Sequence, residues 1–163
     1  MERREELLEA TVDYLLRHGV ADLSLRPLAA ATGTKVRLLI YHFGTRQRLL
    51  SEAMELIRLR VQEGFVEAGD LLGFWKWATD KKHQRYLRLI FEVQGLAMQK
   101  PKVYGRYLRG SLERWIEFLE QRYGKSRATL MVAAFDGLLL DYFVTGDLER
   151  TTRALRRFLK GIA

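Results

Sequence analysis

The chain contains no cysteine, so neither a disulfide framework nor a thiolate metal site is open to it. Its three histidines, His18, His42 and His83, are scattered without metal-ligand spacing, and no glycine-rich phosphate loop occurs. These gaps leave little from which to build catalysis, so the chain is read as a non-enzyme with no metal and no cofactor. Proline appears only twice in 163 residues and strand-like alternation is hard to find, which points to an all-α protein. No apolar run approaches the roughly 18 residues a membrane span requires. The opening residues, MERREELLEA, are charged where a secretory leader would be apolar. The expectation is a soluble, cytoplasmic protein without a membrane partner.

What is present is charge of one sign, unevenly placed. The net charge is +8, which suits an anionic partner without naming one. Residues 81–127 carry twelve Lys and Arg against four Asp and Glu, and residues 22–50 carry five against one. Residues 51–80 are acidic on balance. With 48% hydrophobic residues the chain can bury a real core, as one ordinary domain or a small domain joined to a modest one.

Helical periodicity organises the whole length. Leu7, Leu8, Val12, Leu15 and Leu16 define a first helix from Glu2 to Arg17, stopped by His18-Gly19. Ser24 is placed to cap a short second helix, Leu25 to Ala31, with Pro27 inside its first turn. Thr32-Gly33-Thr34 breaks the chain before a third helix, Lys35 to about His42, and Thr45 caps a fourth, Arg46 to about Phe65. Ala29, Ala30 and Ala31 are expected to let the third helix cross closely, over a small core of Leu28, Leu39 and Phe43. Gly64, Gly69 and Gly73 predict a bend before a fifth helix. Helices over Gln84–Gln99, Lys102–Tyr123 and Ser126–Thr145, and a last one capped by Asp147, bring the count to nine. Asp136 and Asp141 lie within an apolar helix and need partners, for which Arg153, Arg156 or Arg157 are candidates.

The third helix mixes two kinds of residue. Val36, Leu39 and Phe43 share an inward spacing, while Lys35, Arg37, Leu38, Tyr41 and His42 fall largely on other faces. An exposed face rich in Arg, Lys and Tyr suits the DNA major groove, where arginine donates two parallel hydrogen bonds to guanine. Tyr41 and His42 are suited to phosphate oxygens, and Arg46 and Arg48 open the fourth helix, where free N–H groups already attract a phosphate.

The stretch SLRPLAAATGTKVRLLIYHFGTRQRLL, Ser24 to Leu50, resembles the DNA-binding domain of the TetR (tetracycline-repressor-like) family of bacterial transcription regulators. FDGLLLDYFVTGDLERTTRALRRFL, Phe135 to Leu159, resembles that family's dimerisation helices. The resemblance implies a helix-turn-helix DNA-binding domain over residues 1–45 and a helical effector-binding and dimerisation domain over 46–163. It implies that Ser24, Arg26, Lys35, Val36, Arg37, Tyr41, His42 and Arg46 lie at the DNA. Arg37 and Lys35 are the expected base readers, Arg26 contacts base or phosphate, and Tyr41, His42, Arg46 and Ser24 are the expected phosphate clamps. Where many members carry a phosphate-contacting Tyr this chain has Ile40, and Lys35 stands where Ser or Thr is frequent.

A single short recognition helix reads too few base pairs, so a homodimer on two half-sites is expected, with an interface from Phe135, Leu138, Leu139, Tyr142, Leu155 and Leu159. Aromatic and polar residues of the middle helices, Trp75, Arg88, Phe91, Glu92, Tyr107 and Trp115, are candidates for binding a small apolar or amphipathic effector. Arg88 and Glu92, four apart, also suit a simple surface pair. The leading reading is a dimeric regulator of double-stranded operator DNA, a repressor released by a small molecule. The alternatives are a ligand-independent DNA binder and a helical interaction module that does not bind DNA.

Overall fold

The computed structural model describes residues 2–21 and 23–162 and, of these, every side chain but those of 2, 106–108 and 162. Among the described residues there are nine helices and no strand. They are α1 (Glu2–His18), α2 (Leu25–Ala31), α3 (Val36–Phe43), α4 (Arg46–Ala68), α5 (Leu71–Thr79), α6 (Gln84–Gln99), α7 (Pro101–Tyr123), α8 (Lys125–Thr145) and α9 (Leu148–Ile162). The chain forms two compact units, each from two separate stretches: Met1–Gln62 with Arg85–Leu108, and Glu63–Gln84 with Arg109–Ala163.

In the first unit, Leu7, Val12 and Leu15 of α1 meet Leu28 of α2, Leu39 and Phe43 of α3, Leu49, Ala53 and Ile57 of α4, and Leu89 and Val93 of α6. Each of these large side chains is almost wholly removed from water, a transfer worth about 1.5–3 kcal/mol apiece. The α2–α3 turn depends on Gly33, which sits at φ +63 so that the Thr34 N–H can return to the Ala29 carbonyl at 2.8 Å. Of the three alanines of α2 only Ala29 is buried; Ala30 and Ala31 face solvent, so the close α2–α3 approach rests on one small residue instead of three.

The second unit is built around rings. Phe74 stacks on Phe135 at 4.9 Å between centroids and meets Phe65 at 5.3 Å, while Trp75 packs edge-on against Phe135. Of the three clustered glycines it is Gly69 that bends the chain: α4 runs through Gly64 to Ala68, three residues past its expected end. The reason is contact. A Cβ at Gly64 would stand 2.3 Å from the Trp77 ring, so the glycine makes room for an indole against the helix. α7 likewise starts one residue earlier than expected, at Pro101, because the first position of a helix needs no N–H.

α8 is interrupted by Asp136 and Asp141, so no unbroken apolar run of membrane length occurs in it. An 18-residue window within it has a mean hydropathy of 1.5, so by length and composition alone it is apolar enough to cross a bilayer. Two aspartates hide this in the sequence. Asp141 is neutralised at the helix end by Arg150, which donates to its two carboxylate oxygens at 2.6 and 2.8 Å; the partner is none of Arg153, Arg156 and Arg157. That hydrogen bonding holds the Asp141 carboxyl below its ordinary range. Asp147 caps α9 as expected, accepting from the Arg150 N–H at 3.0 Å.

Candidate nucleic-acid interface

The candidate interface grows from the opposition of two faces on α3. Leu39 and Phe43 are buried and Val36 and Leu38 half-buried beneath the helix, which fixes its rotation. Lys35, Arg37 and Tyr41 consequently stand outward, Tyr41 with 80% of its surface exposed. Ile40, at 40%, shares that exposed side, and His42 lies half-buried with its ring 5.1 Å from that of Tyr41. Lys35 occupies the N-cap position, and its side chain makes no bond to the helix end. Among the described residues neither Lys35 nor Arg37 has an ion-pair partner, so both cations are available to a ligand.

Ser24 stands at the N-cap of α2 in an extended conformation but makes no side-chain capping bond, leaving its hydroxyl exposed. Arg26 is exposed in the first turn of that helix. At the start of α4, Thr45 accepts the Arg48 N–H at 3.1 Å, as a capping residue should. Arg46 is half-buried and donates its Nε to the Leu23 carbonyl at 2.7 Å, so part of its guanidinium braces the loop ahead of α2. Arg48 is exposed, 3.2 Å from Glu52, which Arg4 of α1 also engages while lying over the Phe43 ring at 4.9 Å.

One exposed concavity of about 730 Å³ gathers Lys35, Arg37 and Tyr41 of the predicted set. It also includes Arg3, which sequence reasoning missed. A signal existed: Arg3 and Arg4 occupy the first turn of α1, where the helix dipole disfavours cations, and such a placement asks for another reason.

The sequence profile described as bacterial regulatory proteins, tetR family, matches residues 7–53, which run from α1 through the helix-turn-helix into α4. Those residues carry the TetR-family DNA-binding domain. The matched stretch holds a DNA-binding helix-turn-helix of the TetR type, formed by α2 and α3. Among solved structures it is similar to SCO7518 of Streptomyces coelicolor A3(2), a protein assigned as a transcriptional regulator. That pair shares 26% identity and a TM-score of 0.73, covering 96% of this chain and 98% of the other. A TetR-family member from the same organism, SCO1917, aligns at 22% identity and a TM-score of 0.76 over 96% and 98% of the two chains. The multidrug binding protein EbrR in complex with proflavin aligns at 23% and 0.69, over 95% and 98%. No curated protein matches the chain significantly in sequence.

The other predicted residues fall in several places. Trp75 and Trp115 belong to the second unit and Arg88, Phe91 and Glu92 to the first, and the Tyr107 side chain lies outside the described residues. Trp75 is buried, with Nε1 donating to Thr152 Oγ1 at 2.8 Å, and Trp115 lies 6.0 Å from Phe74. Glu92 is committed elsewhere: its Oε1 accepts the backbone N–H groups of Val20 and Ala21 at 2.7 and 2.8 Å, closing the end of α1. Of the predicted interface residues, Phe135, Leu139 and Leu155 are buried within the chain's own second unit, and Leu138, Tyr142 and Leu159 are half-buried. The apolar side chains α8 leaves exposed are Leu130, Leu140 and Val144.

Proposed function

We propose that this chain is a TetR-family regulator, a cytoplasmic homodimeric repressor that binds operator DNA and releases it on binding a small molecule. The observation that carries the DNA reading is the exposed face of α3, where Lys35, Arg37 and Tyr41 stand free above the buried Leu39 and Phe43. In this reading Lys35 and Arg37 donate to base edges in the major groove, and Val36 flanks them against a thymine methyl. Arg26 contacts base or phosphate, while Tyr41, His42, Ser24 and Arg46 hold phosphates and fix the register. Residues 1–45 then form the DNA-binding domain and 46–163 the effector and dimerisation domain.

Dimerisation is supported by a stripe on α8. Leu130, Ala133, Gly137, Leu140 and Val144 recur at alternating intervals of three and four, and all five are exposed. Such a seam suits a second helix of the same kind, related by a two-fold axis that also presents two recognition helices to half-sites about one DNA turn apart. The residues buried beneath it, Phe135, Leu139 and Leu155, support that seam from within the protomer. The effector reading rests on the rings packed within the second unit, with Trp75 and Trp115 as candidate contacts. EbrR, which shares the fold, binds the planar aromatic molecules proflavin and ethidium. The effector class proposed here is therefore apolar or amphipathic and aromatic, coupled to DNA by a difference in affinity between two states, typically 1–3 kcal/mol.

Selection of bound sequences from random DNA, with and without such dyes, tests the reading. A palindromic site should emerge, and Arg37→Ala should relax its preference by about 1–3 kcal/mol at one base pair. A protein that selects no sequence refutes the regulator; one whose site is indifferent to every aromatic ligand retains DNA binding without the switch.

A further inference from the structure

The concavity beside α3 is lined by Lys35, Arg37, Leu38 and Tyr41, by the Gly33-Thr34 turn, and by Arg3 from the first turn of α1. Among the described residues no carboxylate lines it, so three cations face an open trough of about 730 Å³. Lys35 and Arg37 have no ion-pair partner among the described residues, and Arg3 has one, Glu6, at 2.9 Å with both side chains more than half exposed. An exposed i,i+3 pair of this kind is weak and readily exchanged for a better anion. The arrangement fits a sugar–phosphate strand passing beside the base-reading Lys35 and Arg37: deoxyribose against Leu38 and the Tyr41 ring, a phosphate at Arg3.

Resting on the DNA reading above, we infer that this trough receives the backbone of one DNA strand bordering the major groove, and that Arg3 exchanges Glu6 for a phosphate there. The site extends the interface from the helix-turn-helix to α1. It adds a contact blind to sequence, since phosphates position a protein without specifying bases. Glu6 is then a built-in competitor that lowers affinity for every DNA alike.

The test is a salt titration of duplex binding by fluorescence anisotropy, using the selected site, for the full chain and for Arg3→Gln, Glu6→Gln and Arg37→Ala. Arg3→Gln should weaken binding about 3- to 10-fold for all sequences and make the slope of log K against log salt shallower by about one per protomer. Glu6→Gln should tighten binding about 2- to 3-fold. A scan replacing single phosphates by neutral methylphosphonates should find one position per half-site whose loss costs the unaltered protein and costs Arg3→Gln nothing. Equal slopes for the unaltered protein and Arg3→Gln, or equal costs at every methylphosphonate, overturn the inference even where Arg37→Ala confirms base reading. Absence of any DNA affinity in the unaltered protein overturns both.

Discussion

Replacing Glu92 by Ala removes a carboxylate oxygen that two backbone N–H groups share, at 2.7 Å from Val20 and 2.8 Å from Ala21. Bonds to a charged acceptor contribute roughly 1.5–3 kcal/mol each, and a buried donor left without a partner costs about 1–3 kcal/mol. Val20 is fully buried and its donor is stranded, whereas Ala21 is exposed and water replaces the lost oxygen, so the total should be near 3 kcal/mol. For a chain of 163 residues that lowers Tm by roughly 10 °C, since each kcal/mol moves the midpoint by about 2–4 °C at this size. Thermal unfolding followed by circular dichroism measures it. Glu92→Gln, which keeps an acceptor without the charge, should lose about half as much. Gly19 supplies an independent check: it sits at φ +77, and a Cβ there would stand 2.8 Å from a Glu92 carboxylate oxygen. Gly19→Ala should therefore cost less in the Glu92→Ala background than alone, because the clash has been removed while the backbone strain stays. A Tm unchanged within a degree or two in Glu92→Ala, or strict additivity of the two changes, would refute the reasoning.

Three further outcomes are expected. Gly64→Ala forces the Trp77 ring away from α4 and should destabilise the protein by about 1–3 kcal/mol in urea unfolding, with a change in tryptophan fluorescence. Leu140→Glu places charges within the proposed α8 seam, at a side chain 49% exposed, and should convert dimer to monomer in sedimentation while leaving helicity unchanged. Asp141 is held below its ordinary value near 3.8 by the hydrogen bonds from Arg150, so the folded state binds its proton less readily than the unfolded chain does. The stabilisation is present above about pH 4 and is lost as pH falls below that through the depressed value, and Arg150→Gln should abolish this part of the acid dependence in pH-resolved unfolding curves.

Local signals were readable in the sequence and distant ones were not. α2 and α6 begin and end where periodicity and helix breakers place them, because Gly33, Lys100 and Pro101 act on their immediate neighbours. The inward spacing of Leu39 and Phe43 identified the outward cations of α3 for the same reason. The backbone N–H groups that Glu92 accepts from were not legible because they lie 72 and 71 residues away in the sequence. Gly64 looked like a breaker because the ring that requires it, Trp77, comes from another helix. Arg150 was overlooked as the partner of Asp141 because Gly146, in the left-handed region, turns the chain so that the start of α9 returns to the end of α8. In α8 itself the aspartates concealed the exposed apolar side chains Leu130, Leu140 and Val144.

The loop ahead of α2 is gripped from two directions, by Glu92 of α6 at Val20 and Ala21 and by Arg46 of α4 at Leu23. A segment pinned at both flanks has little slack, so Ser24 and Arg26, one and three residues beyond the second pin, cannot drift independently of either helix. Sliding α4 against α6 by even an ångström would shear that loop and tilt the following helix, in the manner of a short lever with two fulcrums. Sensitivity to small displacements is thus wired into the mounting of the helix-turn-helix, well away from any side chain that meets a base.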